Sequence, residues 1–273
     1  MLPASITSRN NPTVKWLASL SEKKYREESQ CFLIEGRKLI IEAIRGGAEI
    51  THLILREGQN EPFYFAEYRV KHSKTQLLVL NDSCFEKISQ EKAPEGVCAV
   101  VKYLDFFKYY NIIYKENFFG LDMNGVVLLD TIQDPGNLGA ILRSAAAFGV
   151  TDVMLTENSV DVYHPRVIRA SMGALFHLRI WQTPNLYSAV QALQANGRRV
   201  FSAELRPNAI PVQEAHLTPA DAIVIGNEGH GIAREVSLLS DGSVYLPISQ
   251  RVESLNASVA ASLLIWEQMK AKE

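Results

Sequence analysis

The chain contains no apolar run long enough to cross a bilayer, which excludes a helical membrane protein. Its opening residues, Met1-Leu-Pro-Ala-Ser-Ile-Thr-Ser-Arg-Asn10, lack the apolar centre of a secretory signal. Neither charge sign dominates: 28 Lys and Arg face 30 Asp and Glu, a formal net charge of −2. Residues 1–124 hold 17 basic against 16 acidic side chains, and residues 125–273 hold 11 against 14. Nothing in that balance announces a polyanion binder, although a near-neutral protein can still present a local basic face. Cysteine is confined to Cys31, Cys84 and Cys98, which are odd in number, scattered and set among apolar residues. That usage argues against a disulfide framework and for buried, reduced thiols in a cytosolic protein. No Cys/His cluster has metal-ligand spacing, so no metal is expected.

Several chemical templates are missing too. There is no Gly-x-x-x-x-Gly-Lys-Ser/Thr phosphate loop, and no Gly-x-Gly-x-x-Gly follows a strand. The stretch Gly226-Asn-Glu-Gly229-His-Gly231 has another spacing and carries an acid. No Gly-x-Ser-x-Gly nucleophile elbow occurs.

What the chain has is an ample core, with 47% hydrophobic residues over 273 positions, enough for one large or two ordinary domains. Near the N-terminus, Val14, Trp16, Leu17 and Leu20 recur near helical spacing, which predicts a short amphipathic helix. Lys15, Lys23, Lys24 and Arg26 fall on or beside its polar face, as a solvated surface or as phosphate contacts. From Cys31 strands and helices alternate. Strands are expected at Cys31–Ile34, Ile50–Leu55, Gln76–Leu80 and Gly96–Val101, with a helix over Arg37–Arg45. Asn81-Asp82 is expected to cap a further helix running to Ser89. This alternation makes residues 1–103 a compact α/β domain. Residues 104–122, rich in Tyr, Phe, Lys and Asn without periodicity, read as a linker. Their aromatics suit packing, or base stacking.

A second α/β domain is expected over residues 123–273. Its strands are Gly125–Asp130, Val153–Leu155, Leu178–Trp181, Arg199–Ser202, Ala222–Ile225 and Val244–Ile248. Helices run from Leu138 to Phe148, about Pro165 to Ser171, Leu186 to Ala195, and Ser254 to about Lys270. Such alternation implies a mostly parallel, Rossmann-like sheet with ligands bound at the carboxyl ends of the strands. Three segments share one layout of apolar strand, polar loop and helix. They are Asp130–Arg143, Ile223–Ile232 and Val244–Ser258. A loop that ends at a helix N-terminus presents N–H groups without intrahelical partners and suits a polar ligand.

These three segments resemble the motifs of the SpoU (TrmH-like) branch of the SPOUT RNA methyltransferases. Asn137-Leu-Gly139-Ala-Ile-Leu-Arg143 is similar to the first, Ile225-Gly-Asn-Glu-Gly-His-Gly-Ile232 to the second, and Leu246-Pro-Ile248 through Glu253-Ser-Leu-Asn256 to the third. Arg169-Ala-Ser-Met-Gly173 also matches a stretch common in that family. Ile6–Asn10 and Phe32–Gly36 resemble the substrate-binding domain often fused to it, which has a ribosomal-protein-like α/β fold. The third motif departs from the usual pattern at Gln250, where Gly is usual, and at Ala257, where Val is usual.

The resemblance implies a C-terminal trefoil knot that binds S-adenosylmethionine, a cytoplasmic homodimer, and methyl transfer to a ribose 2′-hydroxyl of structured RNA, ribosomal RNA foremost. It makes Arg143, Asn137, Glu228, Ser254 and Asn256 the catalytic candidates. Backbone at Gly226, Leu246, Ile248 and Leu255, with Asn256, is expected to hold the cofactor. Arg9, Lys15, Arg37 and Arg169 are the expected RNA contacts. Arg143 suits a phosphate clamp better than a base, because a guanidinium does not give up its proton. Glu228 fixes its loop or pairs with Arg143, and Ser254 bonds Arg143 or the substrate. The alternative for each is structural: Asn137 and Ser254 as helix caps, Glu228 as a brace, Arg143 as a surface residue. His230 beside Glu228 reads as an incidental loop residue. Two other functions share the same fold: a non-catalytic RNA-binding or ribosome-assembly protein, and a base rather than ribose methyltransferase.

Overall fold

The structure is a computed structural model that describes residues 2–104, 124–249 and 251–270. In chain order the elements are β1 (Ser5–Ile6), α1 (Pro12–Ser19), α2 (Lys23–Ser29), β2 (Cys31–Glu35), α3 (Arg37–Arg45), β3 (Ile50–Arg56), α4 (Phe63–Lys71), β4 (Gln76–Leu80), α5 (Asp82–Ile88) and β5 (Val97–Lys102). After the expected linker at 104–122, nearly all of which lies outside the described residues, come β6 (Val126–Leu129), α6 (Pro135–Ala147), β7 (Asp152–Thr156), α7 (Pro165–Ser171), β8 (Arg179–Thr183), α8 (Tyr187–Ala195) and β9 (Val200–Ala203). The chain continues with β10 (Ile210–Pro211), β11 (Ala222–Ile225), α9 (Arg234–Leu239), β12 (Gly242–Tyr245) and α10 (Ala257–Met269).

Packing divides the chain into two units. The first holds residues up to Leu104 together with Tyr163–Phe176. Its sheet has the order β1-β4-β3-β5-β2, parallel at β1-β4-β3 and antiparallel at β3-β5-β2. Asn11 starts α1 by accepting from Thr13 N at 2.8 Å, with Pro12 at the first helical position. Val14, Leu17 and Leu20 are then fully covered. Lys23 and Lys24 lie on the exposed face of α2 and pair with Glu27 and Glu28. Arg26, expected on the polar face, is buried instead. Its Nη1 donates to the Leu20 and Ser21 carbonyls at 2.9 and 2.7 Å, which satisfies groups left open where α1 ends. Asn81 caps α5 as expected, accepting from Cys84 N. The three cysteines are buried and free. Burial, with Glu35 nearby, pushes the Cys98 thiol well up, so it is inert. Tyr163 is buried beside the Phe32 and Tyr103 rings and accepts from Leu104 N. These contacts bring its segment into the first unit.

The second unit is built on a sheet of order β10-β12-β9-β11-β6-β7-β8, parallel throughout. Central strands β6 and β11 are buried at every position, as strands covered on both faces must be. Helix α6 begins at Pro135, three residues before the expected Leu138, because Asp134 rather than Asn137 is its cap. The Asp134 carboxylate accepts from Asn137 N at 2.8 Å. Likewise α10 begins at Ala257 rather than Ser254, and β12 ends at Tyr245 rather than Ile248. From β12 the chain returns across the sheet to lay α10 along α6, where Ser144 and Ser262 hydroxyls meet at 2.7 Å. Gln268, buried at the far end of α10, donates to the Asp221 and Val126 carbonyls. No helix of the described residues is long and apolar enough to cross a membrane.

An ion pair between buried Asp221 and half-exposed Arg199 pins the amino end of β11. Asp221 accepts from Arg199 Nε and Nη2 at 2.8 and 2.7 Å and from Thr218 N at 2.7 Å. Burial alone pushes this carboxyl up, but the Arg199 and Thr218 donors outweigh it and hold it below the usual range. Its folded pKa therefore lies below its unfolded one. The stabilisation is complete above about pH 4 and is lost as pH falls through the depressed folded-state value. Asp221→Asn is expected to cost about 1–3 kcal/mol at pH 7, toward the lower end because Arg199 is half-exposed. Urea unfolding as a function of pH checks this: the gap between wild type and variant should close in acid. A gap unchanged down to pH 2 would contradict the assignment.

Candidate active site

The loops that leave β6, β11 and β12 lie at the carboxyl edge of the parallel sheet, and a short set of polar contacts ties them together. The first loop begins at Asp130, whose Oδ2 accepts from Ala233 N at 2.8 Å. Thr131 follows in the left-handed region, φ 59°, a costly conformation for a β-branched residue. That conformation is held by its N–H donating to Thr156 Oγ1 at 2.8 Å. Its carbonyl accepts from Asn227 Nδ2 at 2.8 Å, so the strained turn is bolted to the second loop.

The second loop closes on itself. Asn227 and Gly231 exchange both backbone hydrogen bonds, at 3.0 and 2.9 Å, and Asn227 Oδ1 accepts from Gly229 N and His230 N. This closure needs glycine at 226, because a Cβ there would collide with the Gly231 carbonyl group. The turn leaves Glu228 projecting and exposed.

Glu228 then begins a relay across the three motifs. Its Oε1 accepts from Asn137 Nδ2 of α6. Asn137 Oδ1 accepts from Asn256 Nδ2 at 3.0 Å. Asn256 Oδ1 caps α10, accepting from Ser258 N at 2.9 Å and Ser258 Oγ at 2.6 Å. One carboxylate and two amides thus join segments 91 and 119 residues apart. Of the structural roles weighed for Asn137 and Ser254, neither is the helix cap: Asp134 and Asn256 are.

A cavity of about 250 Å³ opens beside this relay. Gly226, Glu228, Leu246, Ile248, Ser254 and Leu255, all named from the sequence, line it. Ala257, Ala260 and Leu264 form its apolar floor along α10. Such a lining, apolar with exposed loop backbone and two carboxylates, fits an adenosyl sulfonium, whose base is flat and apolar and whose centre is cationic. Glu204 and Tyr245 also line the cavity and were not singled out from the sequence. The available signal was position: each lies at or just past the carboxyl end of a parallel strand.

Arg143 is not among the cavity-lining residues. It is exposed on α6, and neither Glu228 nor Ser254 bonds it among the described residues; of the two roles weighed for Glu228, pairing with Arg143 is not seen, and its carboxylate accepts from Asn137 instead. Its guanidinium is therefore open to an incoming phosphate. His230 is exposed, with only its backbone N–H engaged in the loop. Of the two motif departures, Gln250 lies outside the described residues and Ala257 lines the cavity. In the first unit Arg9 and Lys15 are exposed and have no acidic partner among the described residues. Arg37 and Arg169 do have one: Arg37 lies 4.0 Å from Glu95 and Arg169 3.0 Å from Glu91. Among the described residues no group of His, Cys, Asp and Glu could hold a metal ion.

Comparison with known proteins fits this architecture. Residues 11–99 match the MRM3-like substrate binding domain, and residues 124–266 match the SpoU rRNA Methylase family. The chain is 29% identical over 96% of its length to the 23S rRNA (guanosine(2553)-2′-O)-methyltransferase of Bacillus subtilis, covering 97% of that protein. It superposes on a crystal structure described as an RNA 2′-O ribose methyltransferase with TM-score 0.78, 30% identity and 98% of both chains covered. The AdoMet-bound rRNA methyltransferase from Sinorhizobium meliloti gives TM-score 0.81 at 25% identity, with 97% of both chains covered. With three loop motifs tied together by hydrogen bonds and a family match over more than half its length, the chain belongs to the SpoU rRNA Methylase family.

Proposed function

We infer that this chain is an S-adenosylmethionine-dependent methyltransferase acting on a ribose 2′-hydroxyl of structured RNA, with ribosomal RNA as its substrate. The observation that carries the reading is the Glu228–Asn137–Asn256 relay, which ties the three loops together beside a cavity lined by the second and third of them. When bound, the cofactor supplies an electrophilic methyl group. The residues of the chain do the rest. Backbone groups of Leu246, Ile248 and Leu255 meet the polar edge of the adenine, and Gly226 lets the second loop close against it. Asn256 and Asn137 keep the loops in register. Holding two reactants aligned is worth much of a transfer barrier, so rigidity here is catalytic in effect. Arg143 clamps the phosphate next to the target ribose and orients the hydroxyl, a role for an always-charged fork with free donors.

Residues 123–273 are the catalytic part on this reading, and residues 1–103 the part that holds RNA. Arg9 and Lys15 are the stronger candidates for phosphate contact, because Arg37 and Arg169 are partly neutralised by Glu95 and Glu91. The return of the chain from β12 to α10 is proposed to be the threaded trefoil knot that the family resemblance implies. A homodimer is proposed as well. Val259, Leu263 and Trp266 are 43–49% exposed at successive turns of α10, and the Phe148 ring lies 5.4 Å from Trp266. An apolar stripe of this kind needs a partner surface. With ribosomal RNA as substrate, the cytoplasm is its compartment.

Calorimetric titration of S-adenosylmethionine into the full chain should show saturable binding, weakened about tenfold or more by Gly226→Ala, since a distorted loop spoils alignment and contact alike. Arg143→Ala should leave that affinity within about threefold and lower methyl transfer to ribosomal RNA by about 100-fold or more, as for loss of a transition-state contact. No binding by the folded wild type, or full transfer by Arg143→Ala, would contradict the reading. In light scattering, Leu263→Glu with Trp266→Glu should convert a dimer to a monomer. A wild-type monomer would sink the dimer.

A further inference from the structure

The cofactor reading leaves one charged residue of the cavity without a task. Glu204 is the first residue after β9, the strand that lies between β12 and β11. Its backbone is fixed to β12: its N–H donates to the Val244 carbonyl at 3.0 Å, and its carbonyl accepts from Ser243 Oγ at 3.0 Å. Glu204 is one of the residues that line the cavity, and its side chain is 23% exposed. Ser237 Oγ donates to its Oε1 at 2.5 Å, and Arg206 Nη1 lies 3.8 Å from that same atom. Arg206 is held in turn by the Ser237 carbonyl and hydroxyl, at 2.6 and 2.9 Å. Both braces fall on Oε1. Oε2 has no hydrogen-bond partner among the described residues.

Oε2 is not among the buried unpartnered atoms, so it is open to solvent and can accept from a ligand hydroxyl that takes the place of water. We propose that Glu204 is a specificity residue of the cofactor site, and that its Oε2 accepts a hydrogen bond from a ribose hydroxyl of the adenosyl group. The proposal rests on the cofactor reading above. Strand order supplies the assignment. Across the sheet edge the loops run from Leu246 after β12, to Glu204 after β9, to Gly226 and Glu228 after β11, to Asn137 and Arg143 after β6. The transferred methyl belongs at the Asn137 and Arg143 side, so Glu204 meets the adenosyl side. There the base edge is served by backbone groups of Leu246, Ile248 and Leu255, and the donors left over are the ribose hydroxyls. An acid past a strand's carboxyl end that takes a ribose hydroxyl is a solution other nucleotide-binding α/β folds have reached. The braces on Oε1 hold the carboxylate in one orientation, which is what makes the contact selective.

The test is calorimetric titration of the full chain with S-adenosylhomocysteine, its 2′-deoxy and 3′-deoxy ribose analogues, and its inosyl analogue, which lacks the 6-amino group. Wild type should bind one deoxy analogue about tenfold or more weaker than the parent, as for loss of a charge-assisted hydrogen bond. Glu204→Gln and Glu204→Ala should each bind the parent more weakly, and Glu204→Ala should no longer distinguish that deoxy analogue from it. Wild type binding both deoxy analogues as tightly as the parent overturns the proposal, and that arm needs no variant to fold. Discrimination that Glu204→Ala retains also overturns it. So does a loss in the variant that tracks the inosyl analogue, which would put the carboxylate on the base. Wild type that binds neither parent nor analogue overturns the cofactor reading itself, and the proposal with it.

Discussion

Glu228, Asn137 and Asn256 form a chain of hydrogen bonds on which the rest of the site depends. Each member has a second duty. Glu228 rides on a loop closed by Asn227, Asn137 sits in the first turn of α6 beneath the Asp134 cap, and Asn256 caps α10. Shifting any one of them therefore disturbs a helix end or a loop closure as well as the cavity. Coupling of this sort turns three loops, which are individually mobile kinds of structure, into one rigid wall.

The sheet explains why such coupling is possible at all. Parallel strands bring their carboxyl ends to one edge, so loops far apart in sequence become neighbours. With β9, β11 and β6 adjacent, the loops after them sit side by side. The return of α10 onto α6 adds the loop after β12 from the other direction, fixed by Ser144 with Ser262 at the middle of α10 and by Gln268 near its carboxyl end. Backbone strain at Thr131 is the local cost of this arrangement, carried where the first and second loops meet.

Much of this was legible in sequence, for identifiable reasons. Strands β6 and β11 read as apolar runs because they are covered on both faces, and each leads into a Gly-bearing loop. The motif residues were nameable because the three strand–loop–helix segments resemble the SpoU motifs. Helix starts were less legible: Ser254 and Asn256 are both capping types, and only the direction of the Asn256 amide decides between them. Arg26 looked solvated, but the open carbonyls of Leu20 and Ser21 claim it. Contacts between distant positions were not legible. Arg37 and Arg169 meet acids 58 and 78 residues away, and Glu204 meets Ser237 across 33. No local pattern encodes such pairs, because the fold alone brings them together.

The central claim is methyl transfer to a ribose hydroxyl. The most direct measurement is transfer of a tritiated methyl group from S-adenosylmethionine to unmodified ribosomal RNA, followed by alkaline hydrolysis of the product. Label on the 2′-oxygen blocks the hydroxyl that cleavage requires, so the expected result is radioactivity in an alkali-resistant dinucleotide. Label released in a mononucleotide would mean a methylated base, and RNA that stays unlabelled with the cofactor bound would mean a protein that holds RNA without modifying it; either result contradicts the account.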